Sequence, residues 1–228
     1  MGYVLPPPAV SVLRVAGTAD IFPVNRIFCV GRNYTEHARE MGHDPDRTRP
    51  CFFMKPATAV LPEGNDFPYP SHSENVHYEC ELVVALGRDG SNIPISTAQD
   101  HIYGYAVGLD MTRRDLQAQA GKKGEPWEVA KSFDASAPCS AIMPVVKIGH
   151  PTKSAISLEL NGRKVQASDI SHLIWDVPHI IHFLSGLFTL AAGDLIFTGT
   201  PAGVGPVHRG DVLHGKIDNI GELTVRVS

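Results

Sequence analysis

The stretch His77-Tyr78-Glu79-Cys80-Glu81-Leu82-Val83-Val84-Ala85-Leu86 decides the fold. It reads as a strand of aromatic and β-branched residues that runs into the turn Gly87-Arg88-Asp89-Gly90. Its second half, Leu82 to Leu86, is apolar without alternation, the pattern of a strand covered on both faces. In its first half the side chains alternate, so Glu79 and Glu81 share one face with His77 while Cys80 takes the other. A chain built around such a strand is a sheet protein with layers packed on it.

Upstream of this strand, Phe52 to Lys55 is a further strand closed by Pro56, and Arg26 to Gly31 is a short buried strand ending in a glycine turn. Asn33 reads as a helix N-cap with Glu36 as its capping-box partner, and that helix is expected to stop at Gly42. Residues 43–51 and 62–70 are polar loops punctuated by proline. Residues 1–24, with Pro6-Pro7-Pro8, are expected to form an arm or edge strand, and residues 25–228 a single domain.

Downstream come a helical turn at Ser96 to Asp100, a buried strand at Tyr103 to Asp110 and a helix over Arg113 to Ala120. Asn161-Gly162 is the strongest hairpin signal in the chain. Asp176 and Pro178 open a helix that runs to about Phe188, from N-cap preference and an early proline. Leu195 to Thr198, Val212 to Ile217 and Leu223 to Val227 complete the strands. There is no internal repeat. The expected class is α+β, one domain dominated by β-structure.

Composition agrees. Among 228 residues there are 21 Gly and 18 Pro, which disfavours a helical bundle because both are poor in helix interiors. The 20 Lys+Arg against 24 Asp+Glu give a net charge of -4 with the bases scattered, so the footprint of a nucleic-acid binder is missing. No run of about 18 apolar residues exists, so no membrane span is expected. The N-terminus has neither the charged nor the apolar region of a signal peptide, and Pro6 stands where a myristoylation signal requires Ser or Thr. Cys29, Cys51, Cys80 and Cys139 have neither zinc nor C-x-x-C spacing and are read as reduced thiols of a cytoplasmic protein.

Two carboxylates side by side repel unless a cation or proton lies between them. Glu79 and Glu81 are therefore either a charged strand edge facing water or half of a cation site. Asp110 ends a buried strand and needs a partner, either as the N-cap of the next helix or as a third carboxylate at that site. Convergence of the three would make an all-oxygen site, suited to Mg2+, Mn2+ or Ca2+ rather than zinc or copper. His37 and Glu40, three apart on a helix, share a face, as a surface pair or as a histidine base oriented by a carboxylate. His179 and His182 have the same spacing but no third ligand, and are read as packing or interface histidines.

Six motifs occur in order: G-R-N-Y-x-x-H-x-x-E-M at Gly31 to Met41, F-x-K-P at Phe53 to Pro56, H-x-E-x-E at His77 to Glu81, L-D-M-T at Leu109 to Thr112, P-W-x-x-A-K-S-F-D at Pro126 to Asp134, and G-D-L-I-x-T-G-T-P-x-G-V-G-P at Gly193 to Pro206. Together they resemble the fumarylacetoacetate hydrolase superfamily from about Arg26 onward. Within it the chain resembles acylpyruvate hydrolases, and the fumarylpyruvate hydrolases of gentisate breakdown through H-L-I-W at His172 to Trp175.

The resemblance implies a β-rich mixed β-roll, a homodimer, and Mg2+ or Mn2+ held by Glu79, Glu81 and Asp110 against a diketo acid. It implies that His37, oriented by Glu40, activates water, and that Lys131 and Gln117 stabilise the oxyanion formed at the 4-keto carbon. Arg114 is either a substrate or ligand contact or a structural ion pair. Gly199 and Thr200, in a glycine-rich loop without the Gly-Lys-Ser/Thr ending of a P-loop, are expected to bind a substrate carboxylate or keto oxygen. Arg32 and Lys55 are expected to help with a distal carboxylate. The same site would also suit decarboxylation of oxaloacetate, dienoate isomerisation or sugar-acid dehydration. A non-catalytic binding module is disfavoured, because binding alone needs no base.

Overall fold

The computed structural model describes residues 2–40 and 49–228. In chain order the elements are β1 (Val12–Arg14), β2 (Ile21–Pro23), β3 (Arg26–Gly31), α1 (Thr35–Glu40), β4 (Cys51–Pro56), β5 (Val60–Pro62), β6 (Val76–Tyr78), β7 (Cys80–Leu86) and β8 (Ile102–Leu109). They continue with β9 (Thr112–Arg113), α2 (Arg114–Lys123), α3 (Glu128–Lys131), β10 (Ala137–Cys139), β11 (Met143–Pro144), α4 (Val145–Ile148), β12 (Ala155–Leu160) and β13 (Arg163–Asp169). Last come α5 (Val177–Leu187), β14 (Leu195–Phe197), β15 (Gly205–Pro206), β16 (Val212–Ile217) and β17 (Gly221–Arg226). The expected helix end at Gly42 and most of the loop over 43–51 lie outside the described residues.

The largest sheet runs β4-β3-β14-β7-β8-β10-β5, with β11 also on β8. It is mixed: β14 pairs parallel with β3 and β10 parallel with β5, while β7 pairs antiparallel with both β8 and β14. A second sheet, β13-β12-β16-β17, packs against β7 and β8. A third, β15-β6-β9, is small, and β1-β2 is a separate hairpin. This is the expected β-rich roll in a single domain.

β7 shows why its sequence lacks alternation. Cys80, Leu82, Val84 and Leu86 enter one core with Leu158, Leu213 and Leu223 of the second sheet. Val83 and Ala85 enter the other core, with Leu13, Phe22 and Val24 of the N-terminal segment. Each face has its own apolar cover, so alternation would place polar groups in one core or the other. Burying side chains of this size contributes roughly 1.5–3 kcal/mol each before entropy is subtracted.

The strand expected from His77 to Leu86 is interrupted at Glu79. β6 belongs to the small sheet and β7 to the large one, so the chain changes sheets at that residue. The Asn161-Gly162 turn forms as expected, with both residues at positive φ, 53° and 78°. Asp176 caps α5 by accepting from His179 N–H at 3.0 Å. Asn33 does something else. The helix starts at Thr35, and the buried Asn33 amide donates to Trp175 O and Thr198 O, at 2.9 and 2.8 Å, while accepting from Trp175 N–H. It clamps β14 and the segment before α5 to the end of β3.

Candidate active site

Three carboxylates converge because of where three strands end. Glu79 sits at the β6–β7 junction, Glu81 is the second residue of β7, and Asp110 follows the last residue of β8. Asp110 N–H donates to Glu79 O at 2.8 Å, which fixes the two strand ends side by side. One ligand oxygen from each of the three lies within 4.8 Å of the others, and all three residues are buried. Cys80 points away, its thiol 3.7 Å from Ser157 O in the second sheet.

Three cations face these carboxylates. Lys131, at the end of α3 and 2% exposed, donates to Glu79 Oε2 at 2.7 Å and Asp110 Oδ2 at 2.6 Å. Arg114 donates to Glu79 Oε1 at 2.5 Å and to Gln117 Oε1, three residues on, also at 2.5 Å. Lys55 Nζ lies 2.8 Å from Asp110 Oδ1.

Charge is thus matched but unevenly distributed. Burial pushes the Glu79 carboxyl up, but Lys131 and Arg114 outweigh it and hold it well below the usual carboxylate range. Glu81 goes the other way: burial first, then Asp110 and Glu79, push it well above that range. Burial opposes the Lys131 ammonium, yet Asp110 and Glu79 keep its pKa above the ordinary lysine value.

Whether a divalent cation suits this cluster is decided by its spare acceptors. Lys55 Nζ also contacts Lys131 O, Ser136 Oγ and Met111 O, so the buried Asp110 Oδ1 shares that ammonium with three other acceptors and takes from it an ion pair without hydrogen-bond geometry. Glu81, whose carboxyl is pushed up by burial and then by Asp110 and Glu79, forms no ion pair among the described residues. An all-oxygen set in which Glu81 has no ion-pair partner and Asp110 Oδ1 only a shared one fits a hard divalent cation.

Across the cavity stands His37, buried on α1, its Nδ1 3.1 Å from Glu40 Oε2. Gly203 N–H reaches both Glu40 oxygens, at 3.2 and 3.3 Å. Only glycine allows this approach: its φ is +96°, and a Cβ there would stand 2.3 Å from Val165 O. The cavity has a volume of about 460 Å³, and its walls include His37, the three carboxylates, Lys131, Arg114, Gln117 and Thr200.

The glycine-rich loop serves the protein itself. Gly199 N–H donates to Glu81 Oε2 at 2.7 Å, and the Thr200 hydroxyl donates to Cys80 O at 2.9 Å. The Gly199 N–H and the Thr200 hydroxyl hydrogen are therefore engaged in holding the Glu79–Glu81 segment, while Thr200 still lines the cavity. Lys55 also departs from expectation. It is 1% exposed and packed behind Asp110, out of reach of any distal carboxylate. Asp110 caps no helix, since its side chain is turned to the two lysines, and α2 begins without a side-chain cap. Among the remaining histidines, His179 pairs with Asp176 at 2.6 Å, and His182 Nδ1–H donates to Ile93 O at 2.8 Å, a packing contact.

One residue escaped the sequence reading. Gln166, on β13 and 1% exposed, donates to Thr200 Oγ1 at 2.9 Å and Pro201 O at 2.8 Å, and accepts from Cys80 N–H at 3.0 Å. It ties the second sheet to the strand carrying Glu79 and Glu81. An isolated polar residue on a strand, 86 positions from its partner, gives no local signal.

With this geometry in hand, the comparisons with known proteins are consistent. The sequence model of the family described as Fumarylacetoacetate (FAA) hydrolase C-terminal matches residues 26–228. The structure superposes on fumarylpyruvate hydrolase from Pseudomonas aeruginosa, solved with Mn2+ and pyruvate, with a TM-score of 0.97, 51% identity and 99% of each chain covered. Oxaloacetate tautomerase FAHD1, mitochondrial, of Homo sapiens is 44% identical over 201 residues, covering 88% of this chain and 90% of its own. A 5-carboxymethyl-2-hydroxymuconate delta-isomerase from Mycobacterium smegmatis matches with a TM-score of 0.80 and 34% identity, over 92% of this chain and 82% of its own. No helix among the described residues is long and apolar enough to cross a membrane.

Proposed function

The chain belongs to the fumarylacetoacetate hydrolase family, and from that premise we propose that it cleaves the carbon–carbon bond of an acylpyruvate with water, fumarylpyruvate giving fumarate and pyruvate. The observation that carries this reading is one cavity holding both a carboxylate-oriented histidine and a buried three-carboxylate cluster flanked by Lys131. Hydrolysis needs these two parts: a base for water, and positive charge where electrons accumulate.

Glu79, Glu81 and Asp110 would hold Mg2+ or Mn2+, which when bound supplies Lewis acidity toward the keto-acid end of the substrate. The protein's own groups do the rest. His37 turns Nδ1 to Glu40, so Nε2 is the atom that takes the proton from water. Glu40, fixed by Gly203 N–H, stabilises the imidazolium that results. Arg114 occupies Gln117 Oε1, which leaves the Gln117 amide hydrogens free to donate to the oxygen of the attacked 4-keto carbon. Lys131 Nζ adds positive charge on the same side. Donors of this kind each lower the barrier by on the order of 3 kcal/mol. As the 4-keto carbonyl re-forms as the carboxylic acid product, the C3–C4 bond breaks, its electron pair passes to C3 as the enolate of pyruvate, and the proton on His37 Nε2 is delivered to C3 to give pyruvate.

The test is pyruvate release by purified protein with fumarylpyruvate, acetylpyruvate and oxaloacetate, with Mg2+ and with EDTA. Hydrolysis gives fumarate and pyruvate in equal amounts. Activity unchanged by EDTA and by Glu79→Ala would remove the metal from the reading. The identity to human oxaloacetate tautomerase supports a second reading, proton transfer between the keto and enol forms of oxaloacetate. That reaction also needs a base such as His37, but consumes the enol without releasing pyruvate, so one assay separates the two. We also propose a homodimer. Tyr3, Val4, Leu5, Val146 and Leu187 expose apolar surface that a second copy would cover, and light scattering that reports a monomer would remove it.

A further inference from the structure

A second cavity lies outside everything assigned so far. Its volume is about 350 Å³, inside the roughly 300–1,000 Å³ range of small-molecule sites. The H-L-I-W motif at His172 to Trp175 lines no part of the main cavity, but its last three residues, Leu173, Ile174 and Trp175, line this one. Leu82 of β7 and Tyr105 of β8 stand opposite as part of the same lining.

The two cavities differ in charge. The main one carries Arg32, Arg114, Lys122 and Lys131 beside its carboxylates. The second has neither lysine nor arginine in its lining. Its one acidic residue, Asp176, pairs with His179 at 2.6 Å, and with a side chain 62% exposed it stands at the rim. A carboxylate would lose its water inside without gaining a cation, and would meet Asp176 outside. The apolar walls suit an uncharged ring instead. Tyr105, 2% exposed, already bonds His150 Nδ1 at 2.9 Å. Gln99 is half-buried in the same lining, and its side-chain amide has no hydrogen-bond partner among the described residues, so it offers a ligand both a donor and an acceptor.

The wall formed by residues 173–175 is tied to the catalytic side of the molecule. Asn33 O accepts from Ile174 N–H at 2.8 Å, the Asn33 amide exchanges hydrogen bonds with both Trp175 N–H and Trp175 O, at 2.8 and 2.9 Å, and Tyr34 forms a β-bridge with Leu173. Helix α1 starts at the next residue, Thr35, and His37 is its third. Whatever seats residues 173–175 therefore also seats the start of α1. A ligand that favours one arrangement of this wall favours the matching arrangement of α1.

We propose that the second cavity binds a small uncharged aromatic molecule of the phenol class, and that its occupancy reaches His37 through Asn33. This does not depend on which keto acid occupies the main cavity.

The chain has two tryptophans, so Trp127→Phe leaves Trp175 as the sole fluorescent reporter, inside the second cavity. The probe is p-cresol. It is expected to change Trp175 fluorescence saturably, with a Kd of about 1 mM or tighter, and to give the same Kd by calorimetry on the wild type. p-Toluate, of the same shape but with a carboxylate in place of the hydroxyl, is expected to bind at least about 10-fold more weakly. Thr152→Phe and Ser171→Phe, at exposed positions of the lining where a larger side chain leaves the core intact, are each expected to weaken p-cresol by at least about 10-fold. No saturable binding below about 10 mM, equal binding of p-toluate, or undiminished binding in both rim variants would overturn the site. Amide exchange in the wild type tests the link: bound p-cresol is expected to slow exchange over Thr35–Glu40 by at least about 3-fold, and unchanged exchange with p-cresol bound would overturn the connection to His37.

Discussion

Replacing Lys131 by Met tests how the carboxylate cluster is balanced. Met keeps an unbranched side chain, one atom shorter, and removes its charge. In the structure three carboxylates face Lys55, Arg114 and Lys131, and Lys131 alone donates to two of them, at 2.7 and 2.6 Å, while 2% exposed. Without it, Glu79 Oε2 and Asp110 Oδ2 are buried and unpaired. Breaking a buried ion pair from one side costs roughly 3–5 kcal/mol. In a chain of this length each kcal/mol moves Tm by roughly 2–4 °C, so Lys131→Met should lower Tm by roughly 6–20 °C in EDTA. Saturating Mn2+ should restore part of the loss, and should raise the variant's Tm by more than the wild type's, because the cation no longer competes with an ammonium for the same oxygens. Scanning fluorimetry of both proteins, with EDTA and with Mn2+, makes the measurement. A variant within about 2 °C of the wild type in EDTA, with the same Mn2+ response, would refute the charge balance described above.

Other substitutions isolate single contacts. His37→Ala should abolish turnover while leaving Mn2+ binding, measured by calorimetry, within about 2-fold of wild type, because His37 faces the carboxylates without holding them; loss of binding would make it a ligand or a structural support. Gln166→Leu should cost about 1–3 kcal/mol in urea denaturation, since Cys80 N–H and Pro201 O lose their partner inside the protein. It should also weaken Mn2+ binding through the displaced Glu79–Glu81 segment, an effect not expected from a residue that only fills space. Asp176→Ala removes the cap that accepts from His179 N–H and should cost about 1 kcal/mol of stability, with kinetics unchanged.

What could be read in the sequence was local. The unbroken apolar run Leu82 to Leu86, the Asn161-Gly162 turn and the Asp176 cap each carry their information within a few residues, and each formed as read. The convergence of Glu79, Glu81 and Asp110 was accessible because strand alternation and a strand end place carboxylates predictably. The polar residues that support the cluster were not, since a side chain's partner is chosen by tertiary packing. Asn33 looked like a cap but clamps residues 142 and 165 positions away. Lys55 reads as a substrate contact from its motif, though its register on β4 sends it behind Asp110. A glycine-rich loop offers N–H groups to a ligand, but the loop sequence does not say that Glu81 takes the Gly199 N–H and Cys80 O the Thr200 hydroxyl.

The break at Glu79 has a mechanical consequence. The chain leaves the small sheet and enters the large one at this residue, and Asp110 stands where β8 of the large sheet hands over to β9 of the small one. A cation gripped by Glu79, Glu81 and Asp110 would act as a rivet through both hinges of that double crossing. Amide hydrogens of β6 and β9, which sit in a sheet too small to be stable by itself, should then exchange with solvent through their own opening when the rivet is out. With it in, they should exchange only when the large sheet opens too, so that two cooperative units become one.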